Sequence, residues 1–186
     1  MFDVALPKEY PYILAAVAAN FLLFQWQMPF IIMPHRQNTF KDDFMRQFED
    51  EHEKAFPGTK VDKVGQPDQG NGWYCRQLPL EKWVKFQSAQ RVVMNYVEWM
   101  PIIIIYTLVA GLVFPQVVIY TSWIIVVGRL LYCIGYIKAP HLRVPGFMVQ
   151  LLCIFTNLIL SFASVAMMCM SQRKTADAVT PTQALV

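Results

Sequence analysis

Four apolar blocks, each long enough to cross a hydrocarbon core of about 30 Å, limit what this chain can fold into. They cover about residues 10–33, 91–114, 117–136 and 146–170. Backbone in lipid must satisfy its own polar groups, so apolar blocks of this length read as helices. The expected fold is an all-α bundle of four transmembrane helices. Residues 37–90 form a long polar loop between the first two spans, and residues 171–186 a flexible polar tail. Composition agrees, because a chain that is 55% hydrophobic and 16% charged is too apolar for an ordinary soluble domain. The formal net charge of +3, with no basic stripe interleaved with aromatics, excludes a nucleic-acid partner. The lipid bilayer is the environment of this chain.

Cys75, Cys133, Cys153 and Cys169 make no CxxC pair, and three of them lie inside apolar blocks, where cysteine behaves as a small hydrophobe. His35 and His141 have no partners at metal-ligand spacing and read as interfacial polar residues, so no metal is expected. The start carries Asp3, Lys8 and Glu9 instead of a basic leader, and the first span is expected to serve as its own insertion signal.

Within the first span, Asn20, Gln25 and Gln27 are polar amides of the kind that face other helices. Pro29 is expected to kink that helix, and Pro34, His35 and Arg36 to close it. In the loop, Thr39 and Asp42 look like a helix start. Phe40, Phe44 and Phe48 recur at a spacing of four, which suggests a short amphipathic helix to about Lys54, resting on the membrane surface. The Gly- and Pro-rich stretch from Phe56 to Gly72 reads as irregular. A helix restarts after Pro79, with Trp83 and Phe86 at the membrane interface, and the turn at Pro115 and Gln116 forces the next helix to pack antiparallel. Basic residues concentrate in the long loop and in the link holding Lys138 and Arg143, so the positive-inside rule puts these in the cytosol and both termini on the opposite side.

The informative side chains are those that a span should not contain. Arg91, Asn95 and Glu98 fall within about 60° of one another on the second span, and Arg129, Tyr132 and Tyr136 do so on the third. Those helices run antiparallel, so Glu98 and Arg129 lie at similar depth. A charge in a span costs about 2.5–3.5 kcal/mol, and the two faces are therefore expected to meet with Glu98 and Arg129 paired. One reading is a structural ion pair that fixes helix register. The other takes the whole cluster, with Arg143, as a site at the membrane edge for a small zwitterionic anion. There the arginine forks take carboxylates, Glu98 takes an ammonium and the tyrosines fix orientation.

At these residues the chain resembles the MAPEG family, the membrane-associated proteins in eicosanoid and glutathione metabolism, and within it the microsomal glutathione transferases of the third type. The resemblance rests on Leu6-Pro7-Lys8-Glu9-Tyr10, on Arg91, Asn95, Glu98 and Pro101, on Gly128, Arg129, Tyr132, Gly135 and Tyr136, and on Arg143 beyond them. It implies a homotrimer of left-handed four-helix bundles, with glutathione as co-substrate between neighbouring subunits at the cytosolic edge. It further implies that Arg91, Asn95, Glu98, Tyr132 and Tyr136 bind glutathione, with Arg36 as a further candidate, and that Arg143 stabilises the thiolate. The second substrate is then a lipophilic electrophile or lipid hydroperoxide arriving from the bilayer, and the chain a transferase or peroxidase. The endoplasmic reticulum follows from the resemblance, with a mitochondrial membrane as the alternative. Val93, Trp99 and the long insertion depart from the family's pattern. The insertion supports a rival reading, a non-catalytic subunit of the same fold that docks through its loop into a larger membrane assembly. No inverted repeat or ring of like charges supports a transporter or channel.

Overall fold

The computed structural model describes residues 6–183, with side chains through Arg173. Four of its helices are long and apolar enough to span a membrane. The first consists of α1 (Tyr10–Gln27), a π-helical turn at Met28–Ile32 and α2 (Met33–Thr39). Pro29 lies in that wider turn, where the ladder is already out of its usual register and the missing N–H costs little. Pro34 does not close the helix as expected. It occupies the start of α2, where the absent donor is tolerated, and the chain stays helical to Thr39.

The second span, α5 (Leu80–Gly111), begins well before the apolar block, at Pro79. After a short link, α6 (Pro115–Lys138) opens on a proline in its first turn. A 3-10 turn at Pro140–Arg143 then leads into α7 (Val144–Gln183). Residues 171–183, expected as part of a flexible tail, continue α7 as helix.

Small residues and buried polar groups draw the bundle together, as they do where lipid removes the usual hydrophobic drive. A Cβ added at Gly146 of α7 meets the Tyr132 backbone nitrogen of α6 at 2.3 Å, and one at Gly135 meets the Leu142 carbonyl oxygen at 2.3 Å. Deeper in the bundle, Thr121 Oγ1 donates to Asn157 Oδ1 at 2.6 Å, and Asn157 Nδ2 donates to Thr107 Oγ1 at 3.3 Å, linking α5, α6 and α7. The first span joins them through Tyr96 of α5, whose hydroxyl donates to the Asn20 carbonyl at 2.9 Å.

The insertion folds on itself. Its helical pieces are α3 (Asp42–Met45), a 3-10 turn at Arg46–Phe48 and α4 (Glu49–Ala55), with irregular chain after Phe56. The aromatic stripe expected on the membrane surface packs inward instead. Phe40, Phe48, Cys75 and Phe86 are buried together, with the Phe40 and Phe86 ring centroids 5.1 Å apart and those of Phe48 and Tyr74 4.9 Å apart. Phe86 thus belongs to this core and not to the membrane interface.

Two charged groups hold the loop closed. Arg36 stacks on Phe40 and Phe86 and donates to the carbonyls of Val64, Gly65 and Asp68. The Asp68 carboxylate accepts backbone N–H bonds from Gly70 at 2.8 Å, Gly72 at 2.9 Å and Cys75 at 2.8 Å. Gly65 has φ +68° and faces the Phe40 ring at 2.6 Å from where a Cβ would stand, so only glycine serves there.

These bonds set a pH dependence. Burial raises the Asp68 pKa, but the three backbone N–H bonds outweigh it and hold the carboxyl below its usual range. A depressed native pKa contributes stability that is present above the ordinary carboxyl pKa of about 4 and is lost as pH falls through the native value. Burial and the neighbouring Asp68 push the Cys75 thiol up to about 12. Cys75 should therefore resist iodoacetamide at pH values near 8, as mapped by peptide mass spectrometry, and Asp68→Asn should speed its alkylation more than tenfold by raising the open population of the loop. Equal rates in the two proteins would show that Asp68 does not hold the loop.

Candidate functional site

The polar face expected on α5 exists, and α6 meets one side of it. Arg129 is 1% exposed and donates from Nη1 to Asn95 Oδ1 at 2.9 Å. Its guanidinium carbon lies 4.8 Å from the centroid of the Tyr96 ring, a cation–π contact inside the bundle. Its Nε and Nη2 have no hydrogen-bond partner among the described residues.

The expected Glu98–Arg129 pair does not form. Glu98 is taken by Arg91 of its own helix, through Nη1 to Oε1 at 3.0 Å and Nη2 to Oε2 at 3.4 Å. The physical reason is direction. Asn95 turns about 60° further toward α6 than Glu98 does, while Arg91 and Glu98 point nearly the same way. Two long side chains two turns apart can bridge that rise, so the carboxylate meets the guanidinium on its own face.

This pair sits on the outside of the bundle, with side chains 49% and 46% exposed. Among the described residues, α5 thus carries an inner polar contact to α6 and an outer, half-exposed fork-to-carboxylate pair.

Tyr132 and Tyr136 continue the α6 face toward the loop-bearing end, with ring centroids 5.5 Å apart. Arg143, beyond the end of α6, turns back so that Nη1 donates to the Tyr136 hydroxyl at 2.9 Å, its guanidinium carbon 5.0 Å from the ring centroid. Arg91 and Tyr136 line one cleft of about 270 Å³ together with Trp83, Gln87 and Ser88. A second cleft, about 340 Å³, reaches Tyr136 from the side of His35 and Lys138.

Arg36 lies elsewhere. It is buried, and its guanidinium donates to loop carbonyls and stacks on aromatic faces. This placement sets it apart from the cluster around Arg91 and Tyr136. Val93 packs in the core beside Ala89 and Tyr132, pointing away from the Arg91–Glu98 stripe, so its apolar character does not alter the cleft.

Tyr96 and Gln87 were missed from sequence. Tyr96 stands in the second span, where nothing in the sequence marks it. Gln87 stands one helical turn before Arg91, and the spacing reveals it once α5 is known to start at Leu80.

The arrangement can bind an anion with the Arg91 and Arg143 forks and can orient it with the Tyr136 hydroxyl. Fold and site together define an integral membrane protein of the four-helix-bundle class with a polar recognition edge. The MAPEG family model matches residues 12–163, and the chain belongs to that family. No protein of curated function matches the chain at a significant level.

Proposed function

We propose that this protein is a glutathione-dependent membrane transferase or peroxidase of the microsomal glutathione transferase type, acting on lipophilic electrophiles or lipid hydroperoxides. The observation that carries the reading is the cleft shared by Arg91 and Tyr136, with the Arg143 fork held on that same tyrosine. Glutathione is a small peptide anion with two carboxylates, one ammonium and a thiol, and the donors at this edge suit it. On binding, the exposed Arg91–Glu98 pair opens, the fork taking a glutathione carboxylate and Glu98 the ammonium. Arg143, exposed at the rim, stands beside the thiol and favours its ionised form.

The outer placement of Arg91 and Glu98 supports a site completed by a second copy. α5 has 32 residues, about 48 Å of helix, so Glu98 lies roughly 10 Å inside the hydrocarbon boundary. An ion pair left against lipid at that depth is unfavourable, and a neighbouring bundle that covers it removes the cost. A homotrimer with its ligand between subunits meets that need. The basic loops support the cytosolic side for this edge, and the endoplasmic reticulum is the proposed membrane, with a mitochondrial one as the alternative.

The self-contained core of the insertion favours a second reading, a non-catalytic subunit that docks through this loop into a larger assembly. Calorimetry separates the two. Purified protein in detergent should bind glutathione with a dissociation constant in the millimolar range or below. Absence of heat at about 10 mM ligand removes the enzyme reading, since a catalytic site needs a Kd near working concentrations.

A further inference from the structure

Away from the polar edge, the insertion carries a preformed cleft of about 510 Å³ between α4 and residues 67–74. Its walls include Phe48, Phe56, Trp73 and Tyr74, with Glu51 and His52 beside them. We propose that this cleft binds an organic ammonium cation, a quaternary or substituted amine, whether free in solution or as the headgroup of a lipid.

Three observations converge on that ligand class. The first is the aromatic lining. The loop buries Phe40, Phe48 and Phe86, yet leaves Trp73 58% and Phe56 60% exposed at the rim of one cavity. Open aromatic faces around a concave space are the surface that a cation with attached methyl or methylene groups prefers, since the ring quadrupole is negative on its face.

Charge is the second. The lining residues include the carboxylates of Glu51 and Asp68 and no lysine or arginine. Asp68 is engaged by three backbone N–H groups, so Glu51 is the carboxylate left to face a ligand.

The third is preorganisation. The Trp73 indole N–H donates to Glu51 Oε2 at 3.1 Å, fixing ring and carboxylate side by side. The segment below them is pinned by Asp68 and by Trp83 Nε1, which donates to the Gly70 carbonyl at 2.9 Å. A bare metal ion does not suit this space. It is mostly apolar-walled, and no group of three His, Cys, Asp or Glu at metal-binding distance exists among the described residues. Nothing here depends on the glutathione reading, because none of these six lining side chains touches Arg91, Tyr136 or Arg143.

The test uses the full chain in phosphatidylglycerol nanodiscs, titrated with choline and with its neutral isostere, in which carbon replaces the quaternary nitrogen. Tryptophan fluorescence should change saturably with choline in the millimolar range or below. The change should vanish in Trp73→Ala, and Glu51→Gln should weaken binding about tenfold. The isostere should bind at least about tenfold more weakly than choline. Both replaced side chains are exposed, and continued resistance of Cys75 to iodoacetamide in each variant shows that the loop core is intact. Equal binding of the neutral isostere, undiminished choline binding by Glu51→Gln, or no saturable signal in the wild type overturns the proposal. Exchanging phosphatidylglycerol for phosphatidylcholine then identifies the source. A choline titration suppressed by that lipid assigns the cleft to a membrane headgroup, and an unchanged titration assigns it to a free amine.

Discussion

Gly146→Ala should lower the unfolding temperature of the detergent-solubilised protein by about 10 °C, and Gly146→Val should prevent the native bundle from forming. A Cβ at this position stands 2.3 Å from the Tyr132 nitrogen, 2.7 Å from the Gly128 oxygen and 2.8 Å from the Tyr132 Cα. All three are backbone atoms of α6, so no rotamer change relieves the clash. The helices must separate, and overpacking of that kind costs about 3 kcal/mol even for one methyl, which shifts a chain of this length by several degrees per kcal/mol. The contrast is Gly111, where the nearest neighbour is the Ile13 Cδ1 at 2.6 Å, the flexible end of a side chain. Gly111→Ala should therefore be much milder. The separation also matters for the site, because Arg143 lies one turn before Gly146 and reaches Tyr136 only if α7 starts hard against α6. A Gly146→Ala protein that melts with the wild type would mean that the two backbones do not approach this closely.

The spans were legible because hydrocarbon thickness and backbone satisfaction leave a 20-residue apolar block few options. Angular placement was legible as well, and it brought Asn95 of α5 to Arg129 of α6. What single-helix angles do not contain is the side on which a neighbour packs. Glu98 and Arg129 matched in depth, but α6 approaches from the Asn95 side, and Glu98 turned to Arg91 instead. The insertion shows the same limit more strongly. Phe40, Phe44 and Phe48 announced an apolar stripe, yet a membrane surface and a private core ask for the same stripe. The choice was made by Arg36 and Asp68, 32 positions apart and joined through a carbonyl that no periodicity reveals. Arg36 read as a ligand-binding arginine for the same reason: a basic residue at a span end is ambiguous until the chain that folds back over it is known.

On the proposed glutathione-dependent reading, Arg143→Ala should carry the largest functional effect. At pH values near 7, a thiol with pKa about 8.5 is roughly 3% ionised. A guanidinium held beside the sulfur favours the anion. If it lowers the pKa by about 2 units, the ionised fraction rises to roughly 75%, a gain of about 25-fold in nucleophile. The sign follows directly: wild-type turnover should be nearly flat above about pH 7, whereas the variant should climb with pH toward 8.5 as the thiol ionises unaided. Loss of transition-state charge stabilisation adds to this, so the fall in kcat/KM at neutral pH should reach about 100-fold or more. Arg143→Lys retains the charge but not the planar fork that rests on the Tyr136 ring and hydroxyl, so it should restore only part of the activity. Because Arg143 is exposed and its partner Tyr136 is held independently by Tyr132 and the α6 backbone, the variants should melt with the wild type. Thiolate absorbance in the ultraviolet, recorded with bound glutathione across pH, separates ionisation from binding. An Arg143→Ala protein with the wild-type thiolate titration and pH profile would remove this arginine from the chemistry and leave it a rim contact.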